Sequence, residues 1–278
     1  MEVNLDPAWI RQILQEDAPF GDPSLVVFEE SKQSIATILA KEDGIFCGTP
    51  IIQQIFRFLS PATIVTIFVK DGQPLQKGDK IAQIEGETKI LLQGERIVLN
   101  LISYLSGIAT ETSKYVKIAE PYSVKILDTR KTLPMYRELA KYAVRVGGGY
   151  NHRFSLSDMI MLKDNHIASC GRIAATFEKL LQTNKNPFLK IEVEVKNLKE
   201  ALTALKYNPD VMMLDNFAPE EVEKALYFLR DKVEIEISGG INLTNLDAYA
   251  RLKPNYISVG SLTHHVNGLD ISMKFSTL

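Results

Sequence analysis

Six short apolar runs in this chain each end on residues that can bind or react: 124–131 (VKILDTRK), 159–166 (MIMLKDNH), 190–195 (KIEVEV), 211–216 (VMMLDN), 233–240 (VEIEISGG) and 256–261 (YISVGS). One such ending is easily had by chance, but six in succession are hard to attribute to stability alone. The first two endings are basic: Arg130-Lys131 follows Asp128-Thr129, and Lys163 opens Lys163-Asp164-Asn165-His166. His152 and Arg153 lie between them. Arginine offers a planar fork to a carboxylate or phosphate, and lysine a point charge. A cage of Arg130, Lys131, His152, Arg153 and Lys163 in a partly dry cleft repels itself and calls for an anionic guest. Surface ion pairing with Asp128, Asp158 or Asp164 would account for any one of these bases, but poorly for all five.

The next two endings are acidic. Glu194 and Asp215 close consecutive runs, so they are expected side by side. Paired carboxylates can hold Mg²⁺, bind sugar hydroxyls or stabilise a positive sugar centre. Glu192 alternates with Glu194, and Glu234 with Glu236. Residues two apart share one face of a strand, so pattern alone does not choose between Glu192 and Glu194. Nearness to the carboxyl end favours Glu194, and the deeper acid is expected to pair with an interior base, Lys125 or Lys190. The last two endings are rich in glycine: Ser238-Gly239-Gly240 and Gly260-Ser261. Such loops let backbone N–H groups approach a phosphate closely.

These groups need a frame that gathers them. Strands alternating with helices at this spacing imply parallel βαβ units, as a barrel or an open sheet, with ligands at the carboxyl ends of the strands. The stretch 142–149 (YAVRVGGG) reads as a further strand run, with Gly147-Gly148-Gly149 a flexible approach to the basic cage. Upstream, 5–16 reads as a helix capped by Asp6 with Pro7 in its first turn. From 34 to 92, the runs IATILA, TIVTIFV, KIAQIE and TKILL between turn signals read as β-strands. The stretch 69–84 resembles half of a lipoyl- or biotinyl-type domain, but lacks a lysine in the context that attachment requires, so an ordinary β-layer is preferred to a carrier module. Gly94 to Ala119 has helical spacing.

Composition sets outer limits. With 278 residues the chain can form one large domain or two modest ones. A net charge of −2 argues against a nucleic-acid or anionic-membrane partner, so any anion affinity must be local. No run reaches the roughly 18 apolar residues of a membrane span, and the N-terminus does not read as a signal peptide. Cys47 and Cys170 read as reduced thiols, consistent with a cytoplasmic protein. The histidines lack the helical spacing of a zinc site, and His264 and His265 read as structural.

With these motifs in their order, the chain resembles the quinolinate phosphoribosyltransferase family, also called nicotinate-nucleotide pyrophosphorylase (carboxylating). The resemblance rests on Glu95-Arg96 with Asn100, Ser106–Thr110, Asp128–Thr132, Gly147–Gly149 with Asn151–Arg153, Leu162–His166, Glu192–Val195, Leu214–Asn216, Ser238–Ile241, Ile257–Gly260 and Leu262–His264. It implies an α/β fold in which an incomplete α/β barrel (108–265) packs on an N-terminal α/β sandwich domain (1–107 joined by 266–278). It implies a homodimer in which Arg96 reaches the partner's active site. Arg130, Arg153 and Lys163 would hold the quinolinate carboxylates, with His152, Lys131 and Arg96 completing the cage. Glu194 and Asp215 would contact ribose and Mg²⁺-pyrophosphate, with Lys131, Glu194 and Asp215 as the catalytic set. Ser238, Gly239, Gly240 and Gly260 would cradle the 5-phosphate of phosphoribosyl pyrophosphate. The implied reaction gives nicotinate mononucleotide, pyrophosphate and CO₂, a step of NAD biosynthesis.

Two departures stand out. The early segment Asp17-Ala18-Pro19-Phe20-Gly21-Asp22 resembles the start of the ModD-like sister group, and Pro134-Met135 replaces the family's Pro-Gly. The ModD-like proteins generally lack the intact Lys163-Asp164-Asn165-His166 motif found here. Their reading, transfer to another heterocyclic acid, is the alternative within the class. A non-catalytic ligand-binding protein on the same scaffold is the alternative outside it.

Overall fold

The computed structural model describes residues 3–29, 32–184 and 186–277. In chain order its early elements are α1 (Pro7–Asp17), β1 (Gln33–Ala40), β2 (Gly44–Ile45), α2 (Thr49–Leu59), β3 (Ile64–Ile67), β4 (Pro74–Leu75), β5 (Lys80–Glu87) and α3 (Thr88–Ala119). Next come β6 (Lys125–Leu127), α4 (Arg137–Val146), β7 (Ile160–Leu162), α5 (Asp164–Cys170), α6 (Ile173–Thr183), β8 (Ile191–Val195) and α7 (Leu198–Leu205). The last are β9 (Val211–Asp215), α8 (Pro219–Leu229), β10 (Glu234–Ser238), α9 (Leu246–Ala250), β11 (Tyr256–Ser258), α10 (Ser261–His264) and β12 (Ile271–Thr277).

The chain forms two compact units. The first comprises Met1–Ser113, Glu138–Gly148 and His265–Leu278. Its main sheet has the order β12-β1-β5-β3, with antiparallel pairing throughout. In β1, Ala36, Ile38 and Ala40 are buried while the residues between them are partly exposed, the alternation expected of a sheet with one face on a core. Asp6 accepts the Ala8 N–H at 2.8 Å and caps α1, with Pro7 at its start, as the sequence indicates.

The structure departs from several sequence expectations. The run TKILL is no strand but the first turns of α3. Buried Thr88 begins that helix, and its hydroxyl lies 2.7 Å from the Ser34 hydroxyl of β1. Within 34–92 the chain also forms α2, whose buried Ile51, Ile52, Ile55 and Phe56 line one helical face behind Gly48 and Pro50. The stretch 142–149 is the end of α4 and its exit turn, not a strand. The expected boundaries, 1–107 with 266–278 against 108–265, would place that segment in the second domain, yet it belongs to the first unit. Tyr142 donates its hydroxyl proton to Asp71. A Cβ on Gly147 would meet the Ala109 carbonyl oxygen at 2.4 Å, so this glycine permits close backbone packing and is no flexible approach.

The second unit comprises Lys114–Arg137 and Gly149–His264. Its six strands run parallel in the order β6-β11-β10-β9-β8-β7. A single bridge from Leu127 to Tyr150 extends the β6 side. Helices cover the strands in a βα alternation, giving an incomplete α/β barrel, as expected. Val193, Val195, Met212, Leu214, Ile235 and Ile237 are buried, as strands covered on both faces require.

Candidate active site

The carboxyl ends of these strands surround a cavity of about 820 Å³ lying within the second unit. Of the predicted site residues, Arg130, Lys131, His152, Arg153 and Lys163 line it on the basic side. Glu194 and Asp215 line it from β8 and β9, and Ser238, Gly239, Gly240 and Gly260 from the ends of β10 and β11. Arg96 is not among the lining residues; it is exposed on α3.

The basic side shows the self-repulsion anticipated from its composition. Burial and the neighbouring Arg130 charge lower the Arg153 pKa from the usual guanidinium range. Its Nη1 donates to the Met159 carbonyl at 3.2 Å. Lys163 meets Glu194, Nζ to Oε2, at 2.8 Å, so this lysine already has a counter-charge. His166 Nδ1 accepts the Lys163 N–H at 3.0 Å and ties the turn that presents it. Lys131 is exposed, and its carbonyl accepts from the Thr263 hydroxyl at 2.7 Å.

The acidic side is a pair of carboxylates on adjacent strands, Glu194 on β8 and Asp215 on β9. Burial and the charge of Glu194 raise the Asp215 carboxyl above its ordinary range, against the hydrogen bond from Asn216. On the third side, Gly239 and Gly240 have φ of +96° and +62°. A Cβ on Gly239 would fall 2.3 Å from Asn216 Oδ1, so glycine is required both for conformation and for room. Asn216, itself at φ +57°, donates its N–H to the Ser238 carbonyl at 2.9 Å, joining the two loops.

His152 departs from the role of simple anion ligand. Its Nε2 is 3.1 Å from Glu192 Oε2 and 3.4 Å from Glu236 Oε2. Its Nδ1 accepts the Arg153 N–H at 2.7 Å. Both ring nitrogens thus point into protein contacts. Burial works against a charged imidazole, but the two glutamates outweigh it and lift the His152 pKa to about 10. An imidazolium would have no lone pair at Nδ1 for that N–H, so this contact favours a neutral ring protonated at Nε2. Burial also raises the Glu192 carboxyl. His152 and Glu192 together therefore retain protons more firmly than they would apart. Glu192 pairs with His152, not with Lys125 or Lys190 as expected; Lys125 Nζ instead lies 5.6 Å from the ring centres of both Tyr150 and Tyr256.

Sequence reasoning missed Glu236 and Asn216, and it assigned His264, which lines the cavity, to a structural role. The missed signals were the paired alternation of EVEV and EIEI, the residue following Asp215, and the position of His264 just after the Gly260 loop.

A half-barrel bearing an anion cage, a carboxylate pair and a glycine-lined cradle at one set of strand ends defines an α/β-barrel transferase of phosphorylated substrates. Two family models match: quinolinate phosphoribosyl transferase, C-terminal domain, over residues 108–274, and its N-terminal domain over 23–106. The chain belongs to the quinolinate phosphoribosyl transferase family. A Bacillus subtilis (strain 168) protein named "Probable nicotinate-nucleotide pyrophosphorylase (carboxylating)" is 46% identical over 259 residues, covering 93% of this chain and 89% of the relative. A Nicotiana glauca protein, "Quinolinate phosphoribosyltransferase (decarboxylating) 2, mitochondrial", is 35% identical, covering 88% of this chain and 74% of its own. The crystal structure of NadC from Streptococcus pyogenes matches with a TM-score of 0.93 at 39% identity, covering 100% of both chains.

Proposed function

We propose that this chain transfers the phosphoribosyl group of phosphoribosyl pyrophosphate to quinolinate with decarboxylation, giving nicotinate mononucleotide, pyrophosphate and CO₂ for NAD synthesis. The observation that carries this reading is one cavity whose three sides suit three different parts of the two substrates. Arg130, Arg153 and Lys163 bind the acid's carboxylates, with Lys131 beside them. The loops at Ser238, Gly239, Gly240 and Gly260 hold the 5-phosphate through backbone N–H groups. Glu194 and Asp215 face the ribose, whose C1 becomes cationic as pyrophosphate departs and is stabilised by their charge.

The quinolinate nitrogen forms the bond to C1 while the bond to pyrophosphate breaks. The 2-carboxylate then leaves as CO₂, its electron pair stays on the ring carbon, and a proton takes its place. The cations of the cage stabilise that pair. Glu194 and Asp215, carboxylates on adjacent strands that line one cavity, are an oxygen donor set suited to Mg²⁺. Held there, Mg²⁺ would supply positive charge against the leaving pyrophosphate.

The reading includes a homodimer in which Arg96 completes the partner's cage, and its exposure on α3 is compatible with that role. Mixed Arg96→Ala and Arg130→Ala subunits, each inactive alone, then regain activity; no recovery in demonstrably mixed dimers contradicts the shared site. The reading places the enzyme in the cytoplasm; among the described residues no helix is long and apolar enough to cross a membrane. The direct test is turnover of quinolinate, with Mg²⁺ and phosphoribosyl pyrophosphate, against other heterocyclic acids. Quinolinate is the expected substrate; turnover of another acid alone would move the chain to the ModD-like reading, and acid binding without any turnover to the non-catalytic one.

A further inference from the structure

Glu192 and Glu236 are expensively placed side chains in the second unit. Each carboxylate is 1% exposed, among strand neighbours such as Val193, Val195, Ile235 and Ile237. Removing a carboxylate from water costs several kcal/mol per ion in a protein interior, and apolar residues would serve stability better. Among the described residues their Oε1 atoms find no hydrogen-bond partner, while their Oε2 atoms converge on one atom, His152 Nε2.

His152 stands in a stretch of loop tied down at successive points. Asp128, fully buried at the end of β6, accepts the Asn151 side-chain N–H at 2.6 Å and the His152 backbone N–H at 2.8 Å. The imidazole Nδ1 accepts the backbone N–H of Arg153 at 2.7 Å. The Arg153 guanidinium enters the cavity lining. Acids from β8 and β10 and from the end of β6 thus meet on two consecutive loop residues, Asn151 and His152, and the next residue, Arg153, carries a cage cation. Loops are the mobile parts of a fold, whereas capture of a planar carboxylate needs a guanidinium held to within about half an ångström.

We propose that Glu192 and Glu236 are positioning residues for acid capture, acting through His152 to fix the Arg153 main chain and hence its guanidinium. They do not bind the acid themselves, since their charge would repel it; Glu192 is outside the cavity lining, and Glu236, which borders the cavity, is 1% exposed with its Oε2 turned to His152. The proposal rests on the functional reading above and names what makes its cage rigid.

The test uses the intact protein with Glu236→Ala and Glu236→Gln. Glutamine keeps an acceptor for Nε2–H, whereas alanine removes it. Glu236→Ala is expected to raise KM for quinolinate roughly 10- to 100-fold, the scale of a displacement near 1 Å. KM for phosphoribosyl pyrophosphate and the melting temperature stay near wild type, and Glu236→Gln recovers most of the loss. A joint rise of both KM values with a lowered melting temperature, or glutamine no better than alanine, overturns the proposal.

The wild type supplies a readout should the variants fail to fold. In ¹⁵N NMR at pH 8, His152 is expected to carry its proton at Nε2. A deprotonated Nε2, or a metal ion bound there by the same trio, overturns it. If the wild type instead shows no quinolinate turnover, the functional reading falls while the NMR result still decides whether the glutamates hold His152.

Discussion

The two sheets of this molecule fill their interiors in opposite ways. In the β12-β1-β5-β3 sheet, buried positions such as Ala36, Ile38, Ile81 and Ile84 are apolar. In the six-stranded parallel sheet, buried positions hold Glu192, Glu194 and Glu236, and Asp128 lies fully buried at the end of β6. Burying an apolar side chain stabilises by about 1.5–3 kcal/mol, while burying a carboxylate costs several. The first sheet is therefore built for stability, and the second gives some stability up to hold charge where a substrate arrives. The teaching is that charge buried at strand ends marks the working half of a chain before any ligand is seen.

Substitutions in the two sheets should separate stability from function. Arg130→Ala is expected to weaken quinolinate binding by about 2–5 kcal/mol, as when one partner of a buried charge pair is removed, with little change in melting temperature. Calorimetric titration measures it, and unchanged affinity would remove Arg130 from the cage. Ile38→Ala should do the reverse. It should destabilise by about 2–5 kcal/mol in denaturant unfolding, the range for large-to-small changes at fully buried sites, while kcat of the folded enzyme holds. A fall in kcat without loss of stability would break the comparison.

Gly239→Ala tests the glycine side. The backbone conformation alone costs about 1–2 kcal/mol for a residue with a Cβ, and Asn216 must also move. The expected effect is a raised KM for phosphoribosyl pyrophosphate with quinolinate binding retained, read by separate titrations. The smallest effect is on pH dependence. His152 and Glu192 are both raised, so the folded pair, and not a free imidazolium at His152, holds a proton that the unfolded state has lost by about 6.5, with its release lifted towards 10. Its contribution to stability is complete below that lower value and is lost as pH rises towards 10. Melting temperature should therefore fall across this window, and less steeply in Glu236→Gln; parallel profiles would contradict the assignment.

The strand ends were the most legible part of the chain, because apolar runs stop abruptly where function begins. Arg130, Lys163, Glu194, Asp215 and the two glycine loops follow from that rule, and they meet in one cavity. Helix α2 and the start of α3 were hidden because short, β-branched apolar runs fit strand and helix alike until register and partners decide. The partner of His152 was hidden for a different reason. Glu192 and Glu194 share a strand face, and so do Glu234 and Glu236; only depth within the barrel selects one of each. The loop that brings His152 between them lies 40 residues before Glu192 and 84 before Glu236, a closure no local pattern reports.

The account's central claim is one cavity performing ribosyl transfer and decarboxylation on the same acid. Quinolinate labelled with ¹³C at its 2-carboxylate, supplied with phosphoribosyl pyrophosphate, tests it most directly. The account predicts one labelled CO₂ for each pyrophosphate released, with nicotinate mononucleotide as the nucleotide product. Pyrophosphate release with the label retained in the nucleotide, or no release at all with quinolinate, would contradict it.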